Sequence, residues 1–240
     1  MKRNPVSTPN KSCRLKTLLV CFKNEIAPWE VPALRGAIVA SMKNKNVLFH
    51  NHVDTGLRYS YPLIQYKCIR NRAAVFCVGE GTDAIGDFLT TSNFEMHISG
   101  RDELLEVASI RAEQTLVACW QTPLGYHLKN WTPLNEVNND VYESLTSIED
   151  KQSLLNHILV GHILSALKGL NYTAEEQITC SIENIYRPRT INFKGLKLKG
   201  FDIDFISNIS LPNNIGLGRH VSVGMGNLTR QKVKTQIEEA

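Results

Sequence analysis

Residues Leu211–Leu228, LPNNIGLGRHVSVGMGNL, carry two Gly-x-Gly pairs, Gly216/Gly218 and Gly224/Gly226, around a spacer that holds Arg219 and His220. Glycine tolerates positive φ and lets another backbone come close. Two such pairs make a loop whose N–H groups can face an anion with no side chain in the way. The common phosphate loops do not fit. A Walker-type loop needs Gly-Lys-Ser/Thr, and here the second pair runs into Asn227 and Leu228. The dinucleotide fingerprint wants a third glycine where Val221 stands. The plainer alternative is a glycine-rich hairpin turn without a ligand.

Just upstream lies Tyr186–Gly200, YRPRTINFKGLKLKG, whose cations Arg187, Arg189, Lys194, Lys197 and Lys199 meet no acid within the stretch. Read as a hairpin, it puts Lys197 and Lys199 on one strand face, opposite Leu196 and Leu198. Such a ribbon can track a phosphate backbone, and the cluster favours RNA. For any single lysine a solvated sheet face is the better reading. Apolar alternation changes phase at Gly200, which predicts a tight turn or bulge there between strands Thr190–Leu198 and Phe201–Ile206. Ile178–Ile185 reads as another strand. Glu149–Leu170 is the clearest helix: Leu155, Ile158, Leu159, His162, Ile163, Ala166, Leu167 and Leu170 form one stripe, and Gly169 marks its end.

In the first half, Leu15–Phe22 is apolar on both faces, which suits a central strand. Pro32 fits a first helical turn, followed by Leu34, Ile38, Val39 and Met42 at helical spacing. Val47–His52, Arg58–Ile69 and Ala73–Val78 read as strands. A second helix follows Gly81, then strands at Phe94–Ile98 and Ala112–Trp120. Strand, helix, two strands, helix, strand is the βαββαβ order. The expected fold class is α+β, with two tandem ferredoxin-like domains. The expected limits are a tail at 1–12, a first domain at 13–120, a Pro/Asn/Gly-rich connection at 121–139, a second domain at 140–232 and a tail at 233–240.

Bulk properties narrow the class. A hydrophobic content of 42% with 21% charged residues describes a globular chain. A net charge of +4 permits a nucleic-acid partner without demanding one. Six cysteines show no CxxC and no metal-type pairing, which points to a reducing, cytoplasmic setting. No apolar run reaches the ~18 residues of a membrane span, so no membrane partner is expected.

The chemistry-bearing pair is His50-Asn51-His52. On an extended backbone, residues two apart share a face, so two imidazoles can flank one reacting group as base and acid. The alternatives are surface histidines in a turn or half of a metal site. Zinc would want two further ligands that are not evident nearby. Downstream stand Arg58, Tyr59, Tyr61 and Lys67, cations and phenols able to hold a phosphate or stack a base. His97 and His127 have no recognisable partner; His162 reads as a packed core residue.

Together these residues resemble the CRISPR-associated repeat-processing endoribonucleases of the RAMP superfamily, in the subgroup with two closely spaced histidines. The resemblance rests on PWEVPALRGAI at Pro28–Ile38, LFHNH at Leu48–His52, RYSYPLIQYK at Arg58–Lys67 and the glycine-rich stretch to Gly226. It implies metal-independent cleavage of precursor CRISPR RNA within the repeat, without a cofactor. The substrate's own 2′-OH would be the nucleophile, leaving 2′,3′-cyclic phosphate and 5′-OH ends. It further implies His52 as first choice for proton transfer, His50 as its partner and Lys67 for charge stabilisation, with Tyr59, Tyr61 and Tyr66 left open as a third member. The basic hairpin, Arg219, His220 and the four glycines would hold the RNA. Implied partners are CRISPR repeat RNA and either a second copy of the chain or subunits of an effector complex. The competing readings are a non-catalytic RNA-binding RAMP subunit of such a complex and an enzyme acting on small nucleotides.

Overall fold

The computed structural model describes residues 12–42, 47–50, 52–53, 56–57 and 61–232. Strand β1 (Ser12–Glu25) buries Val20 and Phe22 toward two helices, and Leu15 on its opposite face. After a 3-10 turn at Pro28–Glu30, helix α1 (Val31–Ser41) buries Val31, Leu34 and Ile38. Then come a helical turn α2 (Val47–His50) and the short strands β2 (His52–Val53) and β3 (Gly56–Leu57). Strands β4 (Ile64–Ile69) and β5 (Arg72–Val78) precede helix α3 (Gly81–Thr91) and a hairpin of β6 (Glu95–Ile98) and β7 (Arg101–Leu104). Strand β8 (Val107–Trp131) completes this half. The order β8-β1-β5-β4 is antiparallel throughout, the ferredoxin-like arrangement expected from the sequence.

The second half repeats it. Helix α4 (Glu136–Ser144) is capped by Asn135, whose Oδ1 accepts from Asn138 N at 2.7 Å. Helix α5 (Ile148–Gly169) is capped by Ser147 and buries Leu155, Ile158, Leu159, Ile163, Ala166 and Leu167 of the predicted stripe, with His162 and Leu170 half-buried at its margin. Strands β9 (Cys180–Ile185), β10 (Arg189–Phe193), β11 (Leu196–Ile209) and β12 (Asn227–Gln231) follow. Here β12, β8, β11 and β9 lie side by side in that order, again the ferredoxin-like sequence of neighbours. Strand β8 is last in the first sheet and first in the second. Between β11 and β12, where a second helix would stand, the chain runs instead through the glycine-rich stretch.

Three expectations need correction. The connection expected at 121–139 is strand as far as Trp131, with Tyr126, Leu128 and Trp131 buried. Pro123 and Gly125 misled the reading. Pairing to β11 skips from Cys119↔Ile209 to Leu124↔Ser207, so Trp120–Pro123 form a bulge that needs no ladder N–H from proline. Second, the hairpin turn is at Lys194-Gly195, both at positive φ (49° and 78°), and β11 runs straight through Gly200. A bulge does occur, between Phe201 and Ile203. Third, Val47–His50 is helical, so no single extended strand carries His50 and His52.

Two apolar cores result. One lies between α1, α3 and the first sheet. The other joins α5 and the second sheet to Leu15, Phe76 and Val78 of the first. All six cysteines are free. No helix among the described residues is long and apolar enough to cross a membrane.

Candidate nucleic-acid interface

The glycine-rich loop is bound on both sides. Gly216 N donates to Gln65 Oε1 (2.9 Å), Gly216 O accepts from Tyr61 Oη (2.6 Å), and Tyr66 N donates to Ser222 O (3.2 Å). These contacts fasten the loop to the free edge of β4 in the first domain, where Tyr66 and Val223 form a parallel bridge. On the other side Gly226 N donates to Asn130 O (2.9 Å) and Leu217 N to Gly226 O (2.8 Å). Two of the loop's positive-φ glycines are also forced by space. A Cβ on Gly226 (φ +62°) would lie 1.8 Å from Leu217 O, and one on Gly218 (φ +99°) 2.8 Å from the Trp131 indole. Gly224 N donates to Val221 O at 3.4 Å. The N–H groups of Gly216, Gly224 and Gly226 are therefore committed within the protein. The anion cradle expected of them is a closed latch instead.

Beside this latch a cleft of about 520 Å³ opens between the two domains. Pro32, Arg35, Gly36 and Val39 of α1 form one wall; His220, Ser222 and Val223 of the loop form another; Phe193 and Lys194 at the hairpin tip close the third. Arg35 Nη1 reaches Ser222 Oγ at 3.5 Å. The His220 ring lies 4.6 Å from the Phe193 ring, tilted by 52°. His220 itself holds φ +58°, a strained backbone that costs a non-glycine residue about 1–3 kcal/mol. Burial, and behind it the cations of Arg219 and Lys194, hold its imidazole below the ordinary histidine range, so it is neutral near pH 7. Its Nδ1 is buried with no hydrogen-bond partner. Two cations, an aromatic face and a neutral imidazole in a cleft of this size can receive one nucleotide: phosphate on the cations, base against the rings.

The other sequence-named residues separate into groups. Arg189 pairs with Asp202, and Lys199 pairs with Glu143 while sitting 4.9 Å above the Tyr142 ring. Arg187 and Lys197 are exposed without an ion pair among the described residues. Lys194 is exposed at the turn, 5.8 Å from the Phe193 ring. Arg219 is exposed, its guanidinium 3.4 Å from Leu134 O and its own carbonyl accepting from Thr132.

Lys67 requires a correction: its side chain is 1% exposed, its Nζ has no hydrogen-bond partner, and the Phe76 ring lies 5.9 Å away. Burial pushes its pKa down to about 7. A polynucleotide has no direct route to it. Tyr61 and Tyr66 are also structural, one in the latch and one wholly buried, and burial drives both phenols far up. His50 ends α2 and His52 begins β2, but their side chains lie outside the described residues, as do Arg58 and Tyr59.

Sequence reasoning missed Arg35, Phe193 and Ser222. Arg35 stands off the apolar stripe of α1 and reads as a solvated charge. Phe193 did carry a signal, an aromatic beside cations in a basic ribbon. It also missed two histidine partners: His127 Nδ1 lies 2.7 Å from Asp204 Oδ1, and His97 Nδ1 2.8 Å from Asp102 Oδ1. His162 accepts from Trp131 Nε1 at 3.1 Å, and burial lowers it to about 4, the packed acceptor expected.

Comparison with known proteins agrees with this architecture. Residues 13–115 match the model of the Cas6b N-terminal domain, and residues 118–231 that of the Cas6b C-terminal domain. An uncharacterized protein of Methanocaldococcus jannaschii is 41% identical over 100 residues, which are 42% of this chain and 67% of that one. A solved Cas6b structure superposes with a TM-score of 0.82 at 26% identity, covering 91% of this chain and all of that one. A second, a CRISPR RNA processing endoribonuclease Cas6b, gives 0.71 at 23% identity over 91% of this chain and all of its own. A type IV Cas6 crRNA endonuclease shares the fold at 11% identity, with a TM-score of 0.60 over 92% of this chain and all of that one.

Proposed function

The chain belongs to the Cas6b family, and we propose that it is an endoribonuclease that cleaves precursor CRISPR RNA within the repeat by 2′-OH attack, without a metal. The observation that carries this reading is the interdomain cleft, where Arg35, Lys194, Phe193 and His220 meet beside the loop. The reaction needs a base for the 2′-OH, an acid for the leaving 5′ oxygen, and cations for the charge gathered on phosphorus. His52 takes the proton transfers, with His50 as its partner. Arg35 and Lys194 take the phosphate in place of the buried Lys67. The 2′ oxygen displaces the 5′ oxygen, leaving a 2′,3′-cyclic phosphate and a 5′-OH.

Labelled repeat RNA incubated with the protein in EDTA, followed by analysis of product ends, tests the reading. Cyclic phosphate ends are expected. His52→Ala or His50→Ala should slow cleavage by about 10²–10⁴-fold with little loss of RNA affinity. Tight binding with intact RNA would instead identify a non-catalytic RNA-binding subunit. Cleavage unimpaired in the double-histidine variant would remove the proposed mechanism.

A further inference from the structure

On the face of the first sheet turned away from α1 and α3, a second cavity of about 290 Å³ lies between the two domains. It shares no residue with the cleft. Arg70 and Arg111 line it from the first domain, and Asn213, Asn214 and Thr229 from the second, over a floor of Leu19 and Phe76. Neither arginine has an ion pair among the described residues, and two guanidiniums against the single carboxylate of Glu113 leave the cavity positive. Arg70 is held there under strain. It is the first residue of the two-residue β4–β5 turn, at φ 51° with Asn71 at 59°, where asparagine or glycine is the usual choice. Thr229 leads from this cavity to an oriented imidazole. It lies directly across β12 and β8 from His127, which puts their Cβ atoms roughly 5 Å apart on one face. His127 Nδ1 meets Asp204 Oδ1 at 2.7 Å, and Tyr186 Oη donates to Asp204 Oδ2 at 2.8 Å. Partial burial works against the Asp204 charge, but these hydrogen bonds outweigh it and hold the carboxyl below its ordinary range. A carboxylate only accepts, so Nδ1 carries the proton, and in the neutral ring Nε2 is left as an acceptor. The His127 side chain is 24% exposed, and its Nε2 is open to solvent with no hydrogen bond among the described residues.

We propose that this cavity is a second ribonucleotide site, with the phosphate between Arg70 and Arg111 and the ribose 2′-OH donating to His127 Nε2. Asn213 Oδ1 already accepts from Arg230 N at 2.7 Å, which leaves its Nδ2 as a further donor for a phosphate oxygen. An acceptor beside the sugar selects ribose, because deoxyribose has no 2′ proton to give. The chemistry recognised is one phosphate and one 2′-OH, which a free ribonucleotide and a unit inside an RNA strand both supply. The site concerns binding alone and is independent of the cleavage chemistry assigned to His50 and His52.

Amide NMR shifts of the full chain locate the ligand. Titration with adenosine 5′-monophosphate and with hexauridylate should move Asn213, Asn214 and Thr229, and the 2′-deoxy counterparts should bind there about three- to tenfold more weakly. Saturation by the mononucleotide assigns the site to a free nucleotide; a response to hexauridylate alone assigns it to a strand. Arg70→Ala or Arg111→Ala should weaken ribose and deoxyribose probes alike, by about tenfold. His127→Asn keeps a donor for Asp204 and lacks Nε2. It should erase the ribose preference and leave affinity for the deoxyribose probes unchanged, which a folding defect would not do. Shifts confined to Phe193 and Ser222 in the cleft, with these three residues unmoved, overturn the site while leaving the cleavage reading intact. Equal affinity for ribose and deoxyribose in the wild type overturns it too, as does a preference that survives His127→Asn or an affinity indifferent to both arginine variants.

Discussion

Lys67 brings an ammonium into a place with nothing to hold it. Its Nζ has no partner and its pKa in the fold is about 7, against 10.5 for the ordinary side chain. Between those values the unfolded chain keeps the proton that the folded chain gives up, so the lysine's contribution to stability rises with pH. Its penalty is greatest below about 7, where the buried amine must be charged, and vanishes above 10.5. Lys67→Met keeps the length and removes the charge. In urea unfolding the variant should be more stable than the wild type near pH 7, with the gap narrowing as the pH climbs toward 10.5. A gap that does not change with pH would mean the amine is hydrated or paired. At this scale the sequence was legible in chemistry and not in burial. Alternation along β4 puts Gln65 and Lys67 on one face, but that this face is covered follows only from the packing of the second domain against it. The partners of His127 and His97 were unreadable for a related reason, since strand register decides them.

The β10–β11 hairpin was legible as an element, because alternation and the Lys-Gly pair belong to one short stretch. Its charge was not. Asp202 lies just beyond Gly200 on β11 and Glu143 comes from α4, and these acids engage Arg189 and Lys199. The cations left to meet phosphate are Arg187, Lys194 and Lys197. Reversing Arg187 and Lys197 together should weaken binding of single-stranded repeat RNA and flatten the plot of log affinity against log salt by roughly 0.7 for each lost contact. Charge reversal at Lys199 should change the slope less and disturb the fold more, because it sets two carboxylates together at Glu143. Filter-binding titrations over a salt series separate the two cases, and an unchanged slope in the first variant would remove the hairpin from the RNA path. Helices α1 and α5 were the most legible elements, because one periodic stripe specifies each locally. The loop was read correctly as a constrained backbone and incorrectly as an open one, since its hydrogen bonds go to Gln65 and Asn130, far away in sequence.

Over the whole molecule, the two ferredoxin-like units cannot be cut apart at a linker. One uninterrupted strand, β8, is the edge strand of the first sheet and an inner strand of the second, and the second core takes in Leu15, Phe76 and Val78 from the first. A further fastening joins β4 to the loop at Tyr66 and Val223, and Phe193 packs from the hairpin onto the first core. These ties cross the cleft from both sides, so its walls keep their spacing only while both units are folded. Losing either unit would strip apolar surface from the other at about 25 cal/mol per Å², a penalty that couples their stabilities. Thermal unfolding of the full chain should therefore be one transition, with calorimetric and van't Hoff enthalpies equal. A chain ending at 120 should fail to give a cooperative transition, because Val117, Leu15 and Phe76 would face water. Two separate transitions in the full chain, or a stably folded first unit alone, would show that β8 is a tether rather than a shared structural member. The cleft would then be free to open and close, and the RNA reading would need a closed state that binding itself assembles.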